Sequence, residues 1–264
     1  MTTVARSQEE RRVIYSLGAL VRARGRRTLM ADMSKVLSDL ARAIARDPAQ
    51  PLPTRLCRAC VEILDMDGGA IVLGHPPQRI LMCATDEDVA RLDQMHEVLG
   101  EGPGTDAFRT GKPVIAVLRH AEPYRWPMFG EAAVDIFGEV TLYAVPMRAA
   151  TSVLGTLTLY QRGDGPIVGD LSVATVLADA VGAALLRESE TRDLESWGPW
   201  DERARIDQAT GIVIAQLGIP PEDAHALLRA HAYAHDTTIH AIASEIIDRR
   251  LNFNDADQDG EDQP

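Results

Sequence analysis

Between Asp201 and Leu251 the apolar positions fall into three helical stripes. Ile206, Ala209, Val213 and Leu217 recur at i, i+3, i+7 and i+11, one face of a first helix. Gly218 supplies a left-handed stop, and Pro221 opens a second helix where a missing N–H costs nothing. Glu222 and Asp223 sit in its first turn, at the positive end of the helix dipole, and Ala224, Leu227, Leu228 and His231 form its inner stripe. Asp236 and Thr237 offer turn and N-cap chemistry for a third helix, with Ile239, Ile242, Ala243, Ile246 and Ile247 facing inward. Three helices of this size enclose one small core.

Upstream the pattern differs. Val13, Leu17, Leu20 and Val21 stripe a basic helix carrying Arg6, Arg11, Arg12, Arg22, Arg24, Arg26 and Arg27, read as a docking or dimerisation element, with an RNA-assisting arm as the sharper reading. A second helix over Leu29–Arg46 carries Met33, Val36, Leu37, Leu40 and Ile44 inward until Asp47-Pro48 and Pro51-Leu52-Pro53 end it. From there the pattern mixes helices with short strands. A helix over Thr54–Leu64 precedes Gly68-Gly69 and a strand Ala70–Leu73; His75-Pro76-Pro77 turns into a strand Arg79–Ala84. A helix over Asp86–Leu99, a strand Val114–Leu118, a further helix, and strands Val140–Met147 and Val153–Gln161 follow. A long helix from Gly169 to Arg192 closes the unit, and Glu195 to Trp200, with its Gly-Pro, breaks it.

Some polar choices in the C-terminal stretch are not explained by packing. Gly211 sits mid-helix, at a cost of about 1 kcal/mol relative to alanine, as if something must approach the backbone closely. Arg229 follows Leu227-Leu228, with Tyr233 one turn on. The run IDQATGIVIAQLGI, continued by DAHALLRAHAYAHDTTIHAIASEII, resembles an ANTAR domain, the RNA-binding output module of bacterial antitermination regulators. The segment from Leu99 to Val114, LGEGPGTDAFRTGKPV, and the element order around it resemble a GAF domain, a sensor with a central antiparallel sheet. Together they identify a GAF-ANTAR protein of the actinobacterial type. The fold class expected is α+β, a GAF-like antiparallel sheet with helices followed by an all-α three-helix ANTAR domain. The boundaries expected are 1–50 for N-terminal helices, 51–195 for the sensor, 196–200 for a linker, 201–251 for the output module and 252–264 for a disordered acidic tail.

The resemblance implies binding of tandem short-loop RNA hairpins that keeps a terminator from forming. The residues matching the motif and expected to face outward are Arg205, Gln208, Thr210 and Gly211 on the first helix, and Arg229, Tyr233, His235 and Thr238 beyond it. Arg229 would take a phosphate or a guanine edge, and Tyr233 would stack a base. Thr210 stands where many family members have lysine. The alternative is a small-molecule or redox sensor acting through protein contacts or DNA.

Charge opposes the RNA reading. The 264 residues carry a net charge of −12, whereas affinity for nucleic acid rests largely on Lys and Arg. Within 201–251 eight acids face five arginines. Recognition of unpaired loops by stacking and base-edge hydrogen bonds relaxes this demand, and His225, His231, His235 and His240 add donors. The 45% apolar content is ample for packed cores. No run nears the roughly 18 apolar residues of a membrane span, and the N-terminus lacks a signal-peptide apolar region, so the expected location is the cytoplasm.

Catalytic and cofactor signatures are not found. Gly100–Gly104 lacks the Lys-Ser/Thr end of a phosphate loop, no G-x-S-x-G occurs, and Asp65 and Asp67 precede a strand rather than end one. The expectation is a non-enzyme with no cofactor and no metal. His231 and His235 have zinc-pair spacing without a third ligand, and Cys57-Arg58-Ala59-Cys60 reads as helix packing, as Cys83 reads as core. The partners expected are hairpin RNA, an unknown small molecule in a pocket lined by Trp126, Phe129, Phe137 and Tyr143, and a second copy of the chain.

Overall fold

The computed structural model describes residues 33–74, 79–120, 125–149, 152–163, 171–191 and 198–253. The basic N-terminal stripe, the His75-Pro76-Pro77 turn, residues 192–197 and the acidic tail after Phe253 lie outside these residues. Gly198–Trp200 of the expected linker already belong to the helix Gly198–Leu217, whose first turn tolerates Pro199.

Five strands form one antiparallel sheet in the order β2-β1-β5-β4-β3. They are β1 (Gly68–Leu73), β2 (Ile80–Ala84), β3 (Val114–Leu118), β4 (Val140–Ala149) and β5 (Ser152–Arg162). Alternation along each strand sends residues to two apolar layers. Ile71, Tyr143, Val145, Met147, Leu157 and Leu159 face one layer, which is closed by α1 (33–44), α2 (Leu52–Leu64) and α6 (Leu171–Thr191). Ala70, Ala116, Leu118, Leu142 and Tyr160 face the other, under α3 (Glu87–Leu99) and α5 (Pro127–Phe137). The central strands are therefore buried on both faces.

Local chemistry sets the boundaries. Asp86 caps α3 by accepting the Val89 N–H at 3.0 Å, and Gly100 ends it at φ +68°. The short α4 (Pro103–Thr110) follows at once and stops at Gly111, φ +63°. The final helices are α7 (Gly198–Leu217), α8 (Pro221–Ala234) and α9 (Ile239–Ile247). Gly218 takes the left-handed conformation expected of it, φ +66°. One cap differs from the sequence reading. Thr238, not Asp236 or Thr237, caps α9, its Oγ1 accepting the Ala241 N–H at 3.1 Å, while Asp236 bends the chain at φ +50°. No helix among the described residues is long and apolar enough to cross a membrane.

Candidate nucleic-acid interface

The three C-terminal helices share a core of Ile206, Ala209 and Val213 with Ala224, Leu228, Ala232, Ile239, Ile242, Ala243 and Ile246. Val98, from α3 of the sheet-bearing unit, belongs to the same cluster. The last turn of α3 packs on α8 and α9, and α7 lies on β2. The two units thus meet along a seam that is apolar at its centre.

Sequence expectation placed eight residues on this module, and the structure divides them. Gln208 and Gly211 lie on the open face of α7, and a Cβ built on Gly211 would meet nothing within 4 Å. Tyr233 is 56% exposed, and His235 is also exposed. His235 donates through Nδ1 to the His231 carbonyl at 2.9 Å and stacks on the His231 ring, centroids 4.1 Å apart. Arg205, Thr210, Arg229 and Thr238 are half-buried. The Thr210 hydroxyl donates to the Ile206 carbonyl at 2.7 Å. Thr238 holds the cap of α9 and lines the seam, so its first role is structural. Thr238→Ala should cost about 1 kcal/mol of stability, read as a lower denaturant midpoint at unchanged slope.

Arg229 is turned toward the sensor unit. Its guanidinium lies on Gly100, so closely that an added Cβ there would stand 2.5 Å from Nη1. Arg203, only 7% exposed, and His225, 5% exposed, complete a buried polar group at the seam. Arg203 binds Asp207 one turn on. Arg203 Nε and Nη1, His225 Nε2 and Arg229 Nε find no hydrogen-bond partner among the described residues. His225 therefore stays neutral: burial, then the charges of Arg203 and Arg229, push its pKa down to about 4. A cleft of about 140 Å³ runs beside them, lined by Arg79, Asp93, Glu97, Arg203, Thr238 and His240. Arg79 and Asp93 form a buried bidentate pair that neutralises both charges.

Gly100 opens a strap that ties this seam to the interior of the sensor unit. Glu101 Oε1 accepts the Phe129 N–H at 3.0 Å in the first turn of α5. Gly102 takes φ +132°, and Gly104 passes so close to the His96 ring that a Cβ would stand 2.6 Å from it. His96 Nε2 accepts the Thr105 N–H at 3.1 Å, and its ring lies against Phe129 at 5.0 Å. One short segment thus touches an aromatic layer on one side and Arg229 on the other. That layer holds Trp126, Phe129 and Phe137, three of the four expected pocket residues. Tyr143 faces the opposite layer, because its neighbour Leu142 takes the α5 side of β4, so the four do not line one cavity.

Sequence reasoning missed Val98, Gly100, Arg203 and His225 as seam residues. One trace existed: Arg203 precedes Ile206 by three, which places a charge on an apolar stripe.

Comparison with known proteins bears on both units. A family model described as GAF domain matches residues 52–186, and one described as ANTAR domain matches residues 200–247. Among solved structures, the GAF domain of A. Aeolicus nlh2 in an inactive state is 13% identical, with 61% of this chain and 99% of that chain covered and a TM-score of 0.44. The GAF domain of Acinetobacter phosphoenolpyruvate-protein phosphotransferase is 13% identical, covering 60% of this chain and 96% of that one at a TM-score of 0.43. No curated protein matches the chain.

Proposed function

The chain belongs to the GAF domain family and ends in an ANTAR domain, and from that premise we propose that it is a signal-responsive antitermination regulator whose α7–α9 module binds tandem short-loop RNA hairpins. Both domains are regulatory rather than catalytic types. The sensor is taken as 51–195 and the output module as 201–251, in a homodimer located in the cytoplasm. A small molecule bound beneath α5 would act on the strap. Gln208, Gly211, Tyr233 and His235 form the open part of the contact surface, with Tyr233 stacking an unpaired base. Arg205 and Thr210 flank it, and Thr238 stays within reach at the seam.

The observation that carries this reading is the position of Arg229. A residue matching the RNA-binding motif is held against Gly100 of the sensor strap, so a change in the strap changes whether that guanidinium is available to a phosphate or a base edge.

Binding of the full chain to hairpin RNA, to the same hairpin with an altered loop and to duplex DNA tests it. Preference for the native loop is expected, and Tyr233→Ala should weaken it about tenfold, the worth of one stacked base. Preference for duplex would support a DNA-binding regulator, and capture of none of the three would leave the output helices to protein contacts.

A further inference from the structure

All three cysteines of the chain meet at one point of the sensor. Cys57 and Cys60 lie on the inner face of α2, 1% and 0% exposed, and the half-buried Cys83 of β2 packs against the same apolar layer. The Cys83 thiol donates to the Pro53 carbonyl at 3.2 Å. Pro53 lies one helical turn before Cys57, and helical side chains lean toward the N-terminus, so the Cys57 sulfur overhangs the same turn. The Cys57 and Cys83 side chains thus share one corner of the same apolar layer, over the first turns of α2. The C-x-x-C pair itself is less apt. Residues three apart in an unbroken helix hold their Cβ atoms roughly 5–6 Å apart, and a disulfide needs about 3.5–4.5 Å. Cys57 and Cys60 would have to unwind α2 to join, whereas Cys57 and Cys83 sit on two elements packed against each other.

We propose that Cys57 and Cys83 are a reversible dithiol–disulfide pair, closed by hydrogen peroxide, that makes the sensor responsive to oxidant. Burial sets the order of events. It pushes the Cys60 thiol up to about 12, and the Cys57 thiol is also raised, first by the neighbouring Cys83 thiol and then by burial. Cys83, with partial access to solvent, reacts first as the nucleophile. Its sulfur bonds to one peroxide oxygen as the O–O bond breaks, and water leaves with the thiol proton, giving a sulfenic acid. The Cys57 sulfur then attacks the Cys83 sulfur. The S–S bond forms, the S–O bond breaks, and a second water carries off the Cys57 proton. Peroxide has gained two electrons and the two thiols have lost them. The bridge ties α2 to β2, the strand on which α7 rests, one layer behind the seam.

Thiol counting and non-reduced peptide mapping of the native full chain, before and after peroxide, test the pair. Two of the three thiols should disappear, return on reduction, and map to one peptide bridge joining Cys57 to Cys83 within a single chain. Cys60→Ser should keep the bridge, and Cys57→Ser or Cys83→Ser should each abolish it. Three persistent thiols, a bridge through Cys60, or a bridge between two chains would overturn the proposal. Mapping on the unsubstituted chain gives this answer whether or not the variants fold, and no RNA enters the readout, so it stands apart from the RNA reading.

Discussion

Gly155→Ala should strongly destabilise the sensor unit. A Cβ on Gly155 would lie 2.0 Å from the Val72 carbonyl oxygen and 2.8 Å from the Leu73 Cα, both backbone atoms of the neighbouring strand. No side chain can swing away to make room. Gly155 sits on β5 between β1 and β4, paired with Leu73 on one side and Met147 on the other, so a shift must break a ladder at the sheet centre. Overpacking of this kind costs about 3 kcal/mol or more, a large share of a typical domain stability of roughly 5–15 kcal/mol. Denaturant unfolding followed by near-ultraviolet dichroism reads the loss. Native-like stability in Gly155→Ala would mean that β1 and β5 are not paired in this register.

The second large effect is a loss of stability in mild acid that passes through His225. Its pKa is near 4 in the folded chain against 6.5 for an ordinary histidine, because burial and the neighbouring Arg203 and Arg229 disfavour the charged ring, while Asp207 opposes them. Above 6.5 the ring is neutral folded or unfolded, and its contribution is fully present. As pH falls from about 6.5 to about 4, the unfolded chain takes up a proton that the folded chain refuses, so stability falls through that window and levels below it. At about 1.4 kcal/mol per pH unit the gap corresponds to at most about 3 kcal/mol, and solvent screening around the seam brings it nearer 2. Urea midpoints measured across the window should decline in the native chain and flatten in His225→Gln. His231, also lowered by burial, adds a smaller share that His231→Gln would remove. An identical acid slope in His225→Gln would show that this ring does not sit neutral at the seam.

The helices of the output module were legible because one small core imposes a single helical period on each of them. Ile206, Ala209 and Val213 are buried as their spacing required, as are Ala224, Leu228, Ile239, Ile242, Ala243 and Ile246. The cap of α9 was misplaced by one or two residues because Asp236, Thr237 and Thr238 are all competent caps in a row, and only the backbone decides. The strands were legible as short apolar runs between turns, and alternation along β5 sets Leu157 and Leu159 on one face and Tyr160 on the other, but the faces of β4 were not legible. The run Leu142–Met147 carries no polar alternation, so nothing in it says whether Tyr143 takes the layer of Phe129 and Trp126 or the opposite one. The seam was hidden for another reason. Val98 and Gly100 meet α7–α9 across more than a hundred residues of chain, and no local period encodes such a contact. Similarly, Cys83 reaches the Pro53 end of α2 only through the packing of α2 on β2.

The surface assigned to RNA is most directly tested at Gly211. The fold does not need a glycine there, since an added Cβ points into open space. Gly211→Ala should therefore stabilise α7 by about 1 kcal/mol. If a hairpin backbone comes close at this point, the same methyl group should weaken hairpin RNA affinity about tenfold, the equivalent of one 1.4 kcal/mol step. Affinity measured on the full chain, beside its unfolding midpoint, separates the two effects. A more stable protein that binds its hairpin more weakly is the predicted result; a more stable protein with undiminished hairpin affinity would contradict it.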